Sequence, residues 1–280
     1  KSVTKYSKLI LNPETIKYEL EYSLYLAVNG RPGPILLDIP VDIQRTEIDP
    51  EKLKGFTPAK NNLNEISIDE LNDKFEKLHL DIKKSSRPVF LIGGGVQNAD
   101  AIDELHELGN TLEIPMFPTW NALDVVTSDY KYYCGRIGTY GGAGRNFGLQ
   151  NSDLLISIGS RISGRITGGN VKTFARAAKK YMVDVDPGVL KKEFQQVPFD
   201  ENINCDAKKF MELFKNFLIK KKYKTEKKKD EWLKKCIDWK NVYDPVKPEY
   251  YKNTNIVQPY VFIRELSKKM SNTDIFVADC

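Results

Sequence analysis

The chain has 280 residues, which is enough for one or two domains with a sizeable core. It is 41% hydrophobic and 29% charged, as soluble globular proteins usually are, and no apolar run approaches the length of a membrane span, so we expect no membrane association. The net charge of +5 comes largely from one local lysine run, so the charge balance does not indicate a nucleic-acid-binding protein.

The cysteines are scattered along the chain without a Cys-x-x-Cys motif, at positions Cys134, Cys205, Cys236 and Cys280. This usage fits a reducing compartment and offers no metal site, so we expect a cytoplasmic location and no metal ligand. The chain lacks an initial methionine, and its last residues read as a buried strand that would need neighbours. We therefore expect it to be a fragment of a longer protein, or the ordered part of one.

The first predicted elements are a helix and a strand. Residues 12–29 form the helix, because apolar side chains recur at helical spacing at Ile16, Leu20, Leu24 and Val28. An apolar strand bounded by glycine and proline follows within residues 30–40. Residues 45–64 have mixed charge and little periodicity, which predicts a linker, and residues 68–80 form a helix with one apolar face.

A glycine turn follows the next predicted strand. Val89–Ile92 is a short apolar run typical of a buried strand, Gly93, Gly94 and Gly95 follow at once, and residues 98–111 have a helical pattern. Glycine lets the backbone come close to a phosphate, and a helix N-terminus offers free N–H groups to an anion. The alternative is a tight turn that binds nothing, since three glycines are a weak signal.

Charged side chains follow two later strands. Residues 152–161 form one strand and its turn, which ends at Arg161, and Arg165 comes four residues later. Residues 181–187 form another strand, which ends in Asp184 and Asp186. Ligands of open parallel sheets lie at the carboxyl ends of the strands, where arginines can neutralise a pyrophosphate and an acid can hold a ribose hydroxyl. The alternatives are a solvated arginine pair and aspartates that cap a helix before Pro187.

Strands and helices alternate from residue 89 to about residue 206, which predicts an α/β fold with a doubly wound, parallel, Rossmann-like sheet. Within this region, residues 114–124 form a strand with a loop. Residues 135–144 form a second glycine-rich loop that leads into a helix over 145–151. Residues 207–218 form the closing helix.

A lysine-rich segment follows. Residues 215–240 hold eleven lysines and four acids, with Trp232 and Trp239 interleaved. We predict a solvated linker helix whose tryptophans dock on a neighbouring element; the alternative is a basic face that binds nucleic-acid strands. Residues 255–270 form a further helix, and residues 274–280 form a last strand.

The order of these segments resembles the thiamine-diphosphate-dependent enzymes of the acetolactate synthase type. Residues 30–44, which begin Gly-Arg-Pro-Gly-Pro, look like the end of that family's pyrimidine-binding domain, and residues 87–95 look like the first strand of its central domain. The paired-arginine stretch 153–168 and the strand 183–187 look like later strands of the central domain. Residues 255–280 look like the beginning of the pyrophosphate-binding domain.

The resemblance implies a three-domain protein of which this chain holds the middle. The implied divisions are the C-terminal part of the pyrimidine-binding domain at 1–47, a linker at 48–67, the central nucleotide-binding-like domain at 68–218, a lysine-rich linker at 219–254 and the start of the pyrophosphate-binding domain at 255–280. The fold expected is therefore a doubly wound central sheet flanked by partial α/β domains.

The resemblance also implies chemistry. Family members decarboxylate a 2-keto acid, usually pyruvate, and ligate the two-carbon unit to an acceptor carbonyl, with thiamine diphosphate and Mg²⁺ bound between subunits of a homodimer or homotetramer. Their catalytic glutamate would lie upstream of Lys1 and their Mg²⁺ ligands downstream of Cys280. The resemblance therefore assigns no catalytic residue to this chain, and we expect the chain alone to be inactive. The alternatives are a carboligase for another acceptor, such as a keto-sugar, and a non-catalytic dinucleotide-binding module.

In this family the central domain of acetolactate synthases binds FAD. The positions that match its binding segments are Gly93, Gly94, Gly95, Thr119, Trp120, Gly159, Ser160, Arg161, Arg165, Asp184, Val185, Asp206 and Ala207. Two departures stand out: residues 162–164 are Ile-Ser-Gly where the family usually has Phe-Asp-Asp, and residues 138–141 are Gly-Thr-Tyr-Gly where it usually has Gly-Met-His-Gly. The resemblance thus implies a dinucleotide pocket for FAD, with ADP or an empty pocket as alternatives.

Overall fold

The computed structural model describes residues 3–58, 66–252, 255–271 and 273–277, and it shows an α/β chain with two parallel sheets. In the smaller sheet, strand β1 pairs with strand β2, and helix α1 lies between them in the chain; their bounds are Tyr6–Leu9, Ile35–Asp38 and Ile16–Val28. The predicted helix and strand are confirmed. Strand β1 was not predicted, because the pattern Tyr-Ser-Lys-Leu is too short and too polar to indicate a strand without its partner.

The larger sheet has five parallel strands in the order β4-β3-β5-β6-β7. Their bounds are Pro88–Ile92 (β3), Met116–Pro118 (β4), Leu154–Ile158 (β5), Lys179–Asp184 (β6) and Glu201–Asn204 (β7). Every side chain of β3, β4 and β5 is buried, as expected for parallel strands that are covered on both faces. The predicted doubly wound parallel sheet is therefore confirmed.

Helices cover both faces of this sheet. The helices after β2 are α2 (Val41–Gln44), α3 (Ile68–Lys84), α4 (Gly95–Asn98), α5 (Ile102–Leu112), α6 (Ala143–Gln150), α7 (Gly164–Thr167), α8 (Ala207–Lys220), α9 (Lys227–Val242) and α10 (Pro259–Lys269). Successive strand residues point to opposite faces. Phe90 therefore packs with α3, α5 and α8 in one core, and Leu91 packs with α6 and α9 in a second core.

Local signals set several helix ends. The hydroxyl of Ser67 accepts a hydrogen bond from the Glu70 N–H at 3.1 Å and caps α3, and the Asp206 carboxylate does the same for Lys209 at 3.1 Å in α8. The predicted helix 98–111 corresponds to α5, which begins only at Ile102, and the separate short helix α4 precedes it. The chain breaks at Asp100, whose φ of 49° is incompatible with a continuous right-handed helix.

The lysine-rich segment forms the outer layer of the second core. The indole N–H of Trp232 donates to the Pro88 carbonyl at 3.2 Å, and the side chain is only 5% exposed. Cys236 is buried one turn later, and Trp239 packs against the same core. Both tryptophans dock on a neighbouring element as predicted. Helix α9, however, is not a solvated linker helix: it packs on one face of the larger sheet, because these three side chains share one helix face.

The C-terminal segment differs from its prediction. Helix α10 begins at Pro259, where proline is favoured because the first turn has no N–H bond to lose. Arg264 holds it to the preceding loop through two bonds to Asp244, at 2.7 and 2.9 Å. The predicted last strand is not formed at residues 274–277, and residues 278–280 lie outside the described part of the chain.

The described residues lack two features that would indicate a membrane or a metal-binding protein. None of their helices combines the length and apolarity that a membrane crossing needs. They also contain no group of three or more histidine, cysteine, aspartate or glutamate side chains arranged to hold a metal ion.

Asp153 joins the start of β5 to the end of α3. Its carboxylate accepts hydrogen bonds from the N–H groups of Ser86 at 2.9 Å and Arg87 at 3.0 Å, and also from the Ser85 hydroxyl. We expect Asp153→Ala to lower the free energy of unfolding by about 2–4 kcal/mol, because three donors lose their acceptor at a partly buried site.

Urea unfolding followed by circular dichroism measures this loss. The control is Asp73→Ala, which removes an exposed carboxylate of α3 that has no hydrogen bond in the described chain, and which should change stability by less than about 0.5 kcal/mol. Equal stabilities of the two variants would contradict the structural role assigned to Asp153.

Candidate functional site

A cavity of about 1270 Å³ lies at the carboxyl ends of the strands of the larger sheet. It is centred where the strand order reverses, since the chain runs from β3 to β4 on one side and then to β5 on the other. Open α/β sheets bind ligands at such a switch point. The cavity is larger than the roughly 300–1000 Å³ of most small-molecule pockets, and it has room for an extended ligand such as a dinucleotide.

The loops that follow all five strands line this cavity. All thirteen residues that the sequence indicated belong to the lining: Gly93, Gly94, Gly95, Thr119, Trp120, Gly159, Ser160, Arg161, Arg165, Asp184, Val185, Asp206 and Ala207. The structure therefore brings these residues together. Their contact with a cofactor stays a prediction.

The two glycine turns are packed backbone against backbone. The Gly95 N–H donates to the Gly159 carbonyl at 3.0 Å. A Cβ on Gly93 would lie 2.1 Å from the Gly159 oxygen, and a Cβ on Gly95 would lie 2.6 Å from the Gly159 Cα. The glycines are therefore needed so that the turns after β3 and β5 can approach each other. A structural role of these glycines, as in the tight-turn alternative, is thus part of the explanation.

The same turns also leave donors for an anion. The backbone N–H groups of Gly94, Ser160 and Arg161 have no hydrogen-bond partner among the described residues. The guanidinium groups of Arg161 and Arg165 are exposed, and they form no ion pair or hydrogen bond with any described side chain or carbonyl. Unpaired N–H groups and arginines at one place make a site for phosphate oxygens.

Three further arginines line the cavity and were missed. Arg31 reaches it from the loop before β2 and pairs with Asp186 at 3.4 Å. Arg136 and Arg145 belong to the second glycine-rich loop and the first turn of α6. The available signal was their position beside the glycines of residues 135–144. That signal does not place the side chains, because the loop has no strand immediately before it to fix its direction.

The second glycine-rich loop is fixed to the arginine segment. The Thr139 N–H donates to the Arg165 carbonyl at 2.8 Å. The amide side chain of Asn146 bonds both the N–H and the carbonyl of Gly138, each at 3.0 Å. Gly138 has a φ of 111°, a backbone conformation that residues other than glycine rarely adopt. The loop therefore forms an ordered wall of the cavity, and the helix after it starts at residue 143 rather than at the predicted 145.

The last residue of β6, Asp184, and Asp186 just after it hold a turn rather than cap a helix. Asp184 accepts from the Asp186 N–H at 2.9 Å, and Asp186 accepts from the Gly188 N–H at 2.8 Å. Burial raises the pKa of Asp184 above its ordinary value, although the hydrogen bond and the charges of Arg31 and Arg161 act in the opposite direction. Asp184 is therefore a partly buried acid at the cavity wall, with one oxygen engaged by the backbone.

We expect Asp184→Asn to stabilise the ligand-free chain at neutral pH. A carboxyl whose folded pKa is raised stabilises the fold only while protonated, below its unfolded pKa near 3.8, and that stabilisation is lost as the pH rises through the folded pKa. Asparagine stays neutral and keeps an oxygen for the Asp186 N–H. The advantage of the variant in unfolding free energy should therefore grow as the pH rises from about 4 through the raised pKa of folded Asp184. An advantage that does not change with pH would contradict this.

A model of the central domain of thiamine pyrophosphate enzymes matches residues 76–214. The chain is 32% identical to the acetolactate synthase large subunit of Corynebacterium glutamicum, in an alignment that covers 99% of this chain and 42% of that protein.

Two further relatives are similar in kind. The acetolactate synthase isozyme 2 large subunit of Escherichia coli is 35% identical, over 68% of this chain and 33% of that protein. The probable acetolactate synthase large subunit of Methanocaldococcus jannaschii is 31% identical, over 97% of this chain and 44% of that protein. The chain therefore spans less than half the length of each of these relatives.

Proposed function

Because the chain belongs to the thiamine pyrophosphate enzymes, whose central domain it contains, we propose that the whole protein is an acetolactate-synthase-like enzyme. It decarboxylates a 2-keto acid, with pyruvate as the first candidate, and ligates the two-carbon unit to an acceptor carbonyl. The observation that carries this proposal is the alignment of 99% of the chain with an acetolactate synthase large subunit. A second candidate is a carboligase for another acceptor such as a keto-sugar, which is favoured by the unusual loops at residues 119–124 and 138–144.

Thiamine diphosphate and Mg²⁺ belong to this proposal for the complete protein. When bound, thiamine diphosphate supplies the electron sink for the carbanion formed on decarboxylation. The described residues take no catalytic role in the proposal. Their role is to bind and orient a second cofactor in the central domain.

We propose FAD as that second cofactor, and ADP as the alternative. The diphosphate would lie at the switch point, held by the free N–H groups of Gly94 and Arg161 and by the guanidinium groups of Arg161 and Arg165. The second oxygen of Asp184 would accept a hydrogen bond from a ribose hydroxyl. The fit is supported by the size of the cavity, by its unpaired cations and by the close backbone approach that the glycines permit.

A homodimer or homotetramer, a cytoplasmic location and the lack of a nucleic-acid or membrane partner complete the proposal. The three described cysteines, Cys134, Cys205 and Cys236, are all buried thiols, which supports a reducing compartment. Lys227, Lys234 and Lys235 of α9 are exposed, whereas Lys229 is buried and pairs with Glu226 at 3.0 Å. The basic side chains therefore do not form one open face, which supports a structural role for this segment.

Two measurements on the full-length protein test the proposal. The first is an absorption spectrum, followed by chromatography of any nucleotide released on denaturation; a flavin spectrum supports FAD, and ADP alone supports the alternative. The second is an assay with pyruvate and a series of acceptor carbonyls. Acetolactate formation supports the first candidate, whereas carbon dioxide release with ligation only to another acceptor supports the second.

A further inference from the structure

The cavity runs across the sheet from one edge to the other. Trp120 follows the edge strand β4, whereas Asp184 is the last residue of β6 and Asp206 follows β7 on the far side. Neighbouring strands are about 4.8 Å apart, so the residues after β4 and β6 are separated by about 14 Å, with the phosphate-binding turns of β3 and β5 between them. A diphosphate at the centre therefore leaves space for a ring system on each side, not only on the Asp184 side.

An aromatic and cationic cluster occupies the β4 side. The guanidinium group of Arg136 lies 4.6 Å from the centre of the Trp120 ring, and Tyr140 meets the same indole at 6.4 Å in an edge-on arrangement. Arg136 also donates to the Tyr140 carbonyl at 3.0 Å, which fixes its position. Trp120 and Tyr140 nevertheless stay 49% and 71% exposed, so large aromatic surface faces open space beside the cavity.

This cluster has the properties of a stacking platform. The guanidinium covers one face of the indole, which orients it and leaves aromatic surface for a ligand. Indole and guanidinium planes both stack on flat heteroaromatic rings, and a guanidinium can also donate to ring carbonyls. A ring with carbonyl acceptors, such as the isoalloxazine of FAD, matches both properties. ADP has no second ring to place there.

Resting on the proposed dinucleotide pocket, we propose that Arg136 and Trp120 form the platform for the second ring of the ligand and make the cavity select FAD over ADP. Arg136 is the specificity-determining residue, because it fixes the platform and supplies the donors. Neither Arg136 nor Tyr140 was indicated by the sequence. The cluster includes part of the loop in which this chain departs from the usual Gly-Met-His-Gly of the family.

The test measures the dissociation constants of FAD and ADP for the ligand-stripped full chain and its variants. Arg136→Met and Trp120→Leu should each weaken the binding of FAD about tenfold and change the affinity for ADP less than about twofold. The reason is that the stacking of one ring is lost while the phosphate and ribose contacts stay. Arg136→Lys keeps the charge without the planar group, and it should lie between the wild type and Arg136→Met. Matched controls are Arg176→Met and Phe194→Leu, exposed positions outside the cavity, which should bind like the wild type.

Flavin fluorescence gives a second readout, since stacking on Trp120 should quench the emission of bound FAD and Trp120→Leu should restore it. Equal affinity of the wild type for FAD and ADP would overturn the platform but leave the dinucleotide pocket in place. An equal loss of affinity for FAD and for ADP in the variants would also overturn the platform and leave the dinucleotide pocket in place. Failure of the wild type to bind either nucleotide would overturn the proposed pocket itself, and the platform with it.

Discussion

Gly159→Ala is expected to lower the free energy of unfolding by about 2–5 kcal/mol and to abolish nucleotide binding. Gly159 has a φ of 63°, and a Cβ there would lie 2.7 Å from the Gly95 Cα. The left-handed conformation costs a side chain about 1–2 kcal/mol, and overpacking adds about 1–3 kcal/mol. The contact is backbone against backbone, so it can be relieved only if the turns after β3 and β5 move apart, which would disassemble the centre of the cavity.

Gly164→Ala is the matched control, measured by urea unfolding and by ADP titration. A Cβ on Gly164 would meet nothing within 4 Å, and its φ is outside the left-handed region. This substitution should leave stability within about 1 kcal/mol of the wild type, with a gain more expected than a loss because alanine has fewer unfolded conformations. If both variants are equally stable, the close approach of the two turns is not a constraint on the fold.

Replacing Arg161 and Arg165 together by glutamine is expected to weaken ADP and FAD at least about 100-fold with little change in stability. Each charged hydrogen bond to a phosphate contributes about 1.5–3 kcal/mol, and two of them would be lost. Stability should hold, because neither guanidinium group has a hydrogen-bond or ion-pair partner among the described residues. The remaining binding should also depend less steeply on salt, since two exposed charges are gone.

Isothermal titration with both nucleotides at two salt concentrations measures these effects. Arg176→Gln is the control, because it removes an exposed arginine outside the cavity. The single variants Arg161→Gln and Arg165→Gln show which guanidinium contributes more. Binding of wild-type strength in the double variant would exclude the arginine segment as the phosphate site.

The central sheet could be predicted because its signals are local. Strands β3 and β5 are short apolar runs that end at glycine, and such runs are typical of strands covered on both faces. Strand β7 has a much weaker pattern, Glu-Asn-Ile-Asn, in which only Ile203 is buried. The break at Asp100 has no clear signal either, because a left-handed aspartate inside a helical pattern depends on how α4 and α5 pack.

The site was predictable where side chains follow strands directly, and not where loops fold back. The glycines after β3 and the arginine after β5 come immediately after their strands, so the switch-point rule places them. Arg136 meets Trp120 only because the loop of residues 135–142 is fixed on the carbonyl of Arg165, a non-local contact that no spacing encodes.

Ile162 shows a second limit of sequence reasoning. It lies between Arg161 and Arg165 with a φ of 48°, a conformation that a β-branched residue rarely adopts. Its side chain is only 3% exposed and belongs to the second core, so burial offsets the local strain. Propensity alone predicts glycine or asparagine at such a position.

The packing of α9 has a consequence for the synthesis of the chain. The bond from Trp232 to Pro88 spans 144 residues, so β3 and β5 leave the ribosome well before the helix that covers their second face. Until residue 242 has been made, Leu91 and Leu155 lack the part of their apolar cover that α9 supplies, although α6 has already been made. The nascent chain is therefore a natural client for a chaperone during this interval, and a pause in translation before α9 would prolong its exposure to aggregation.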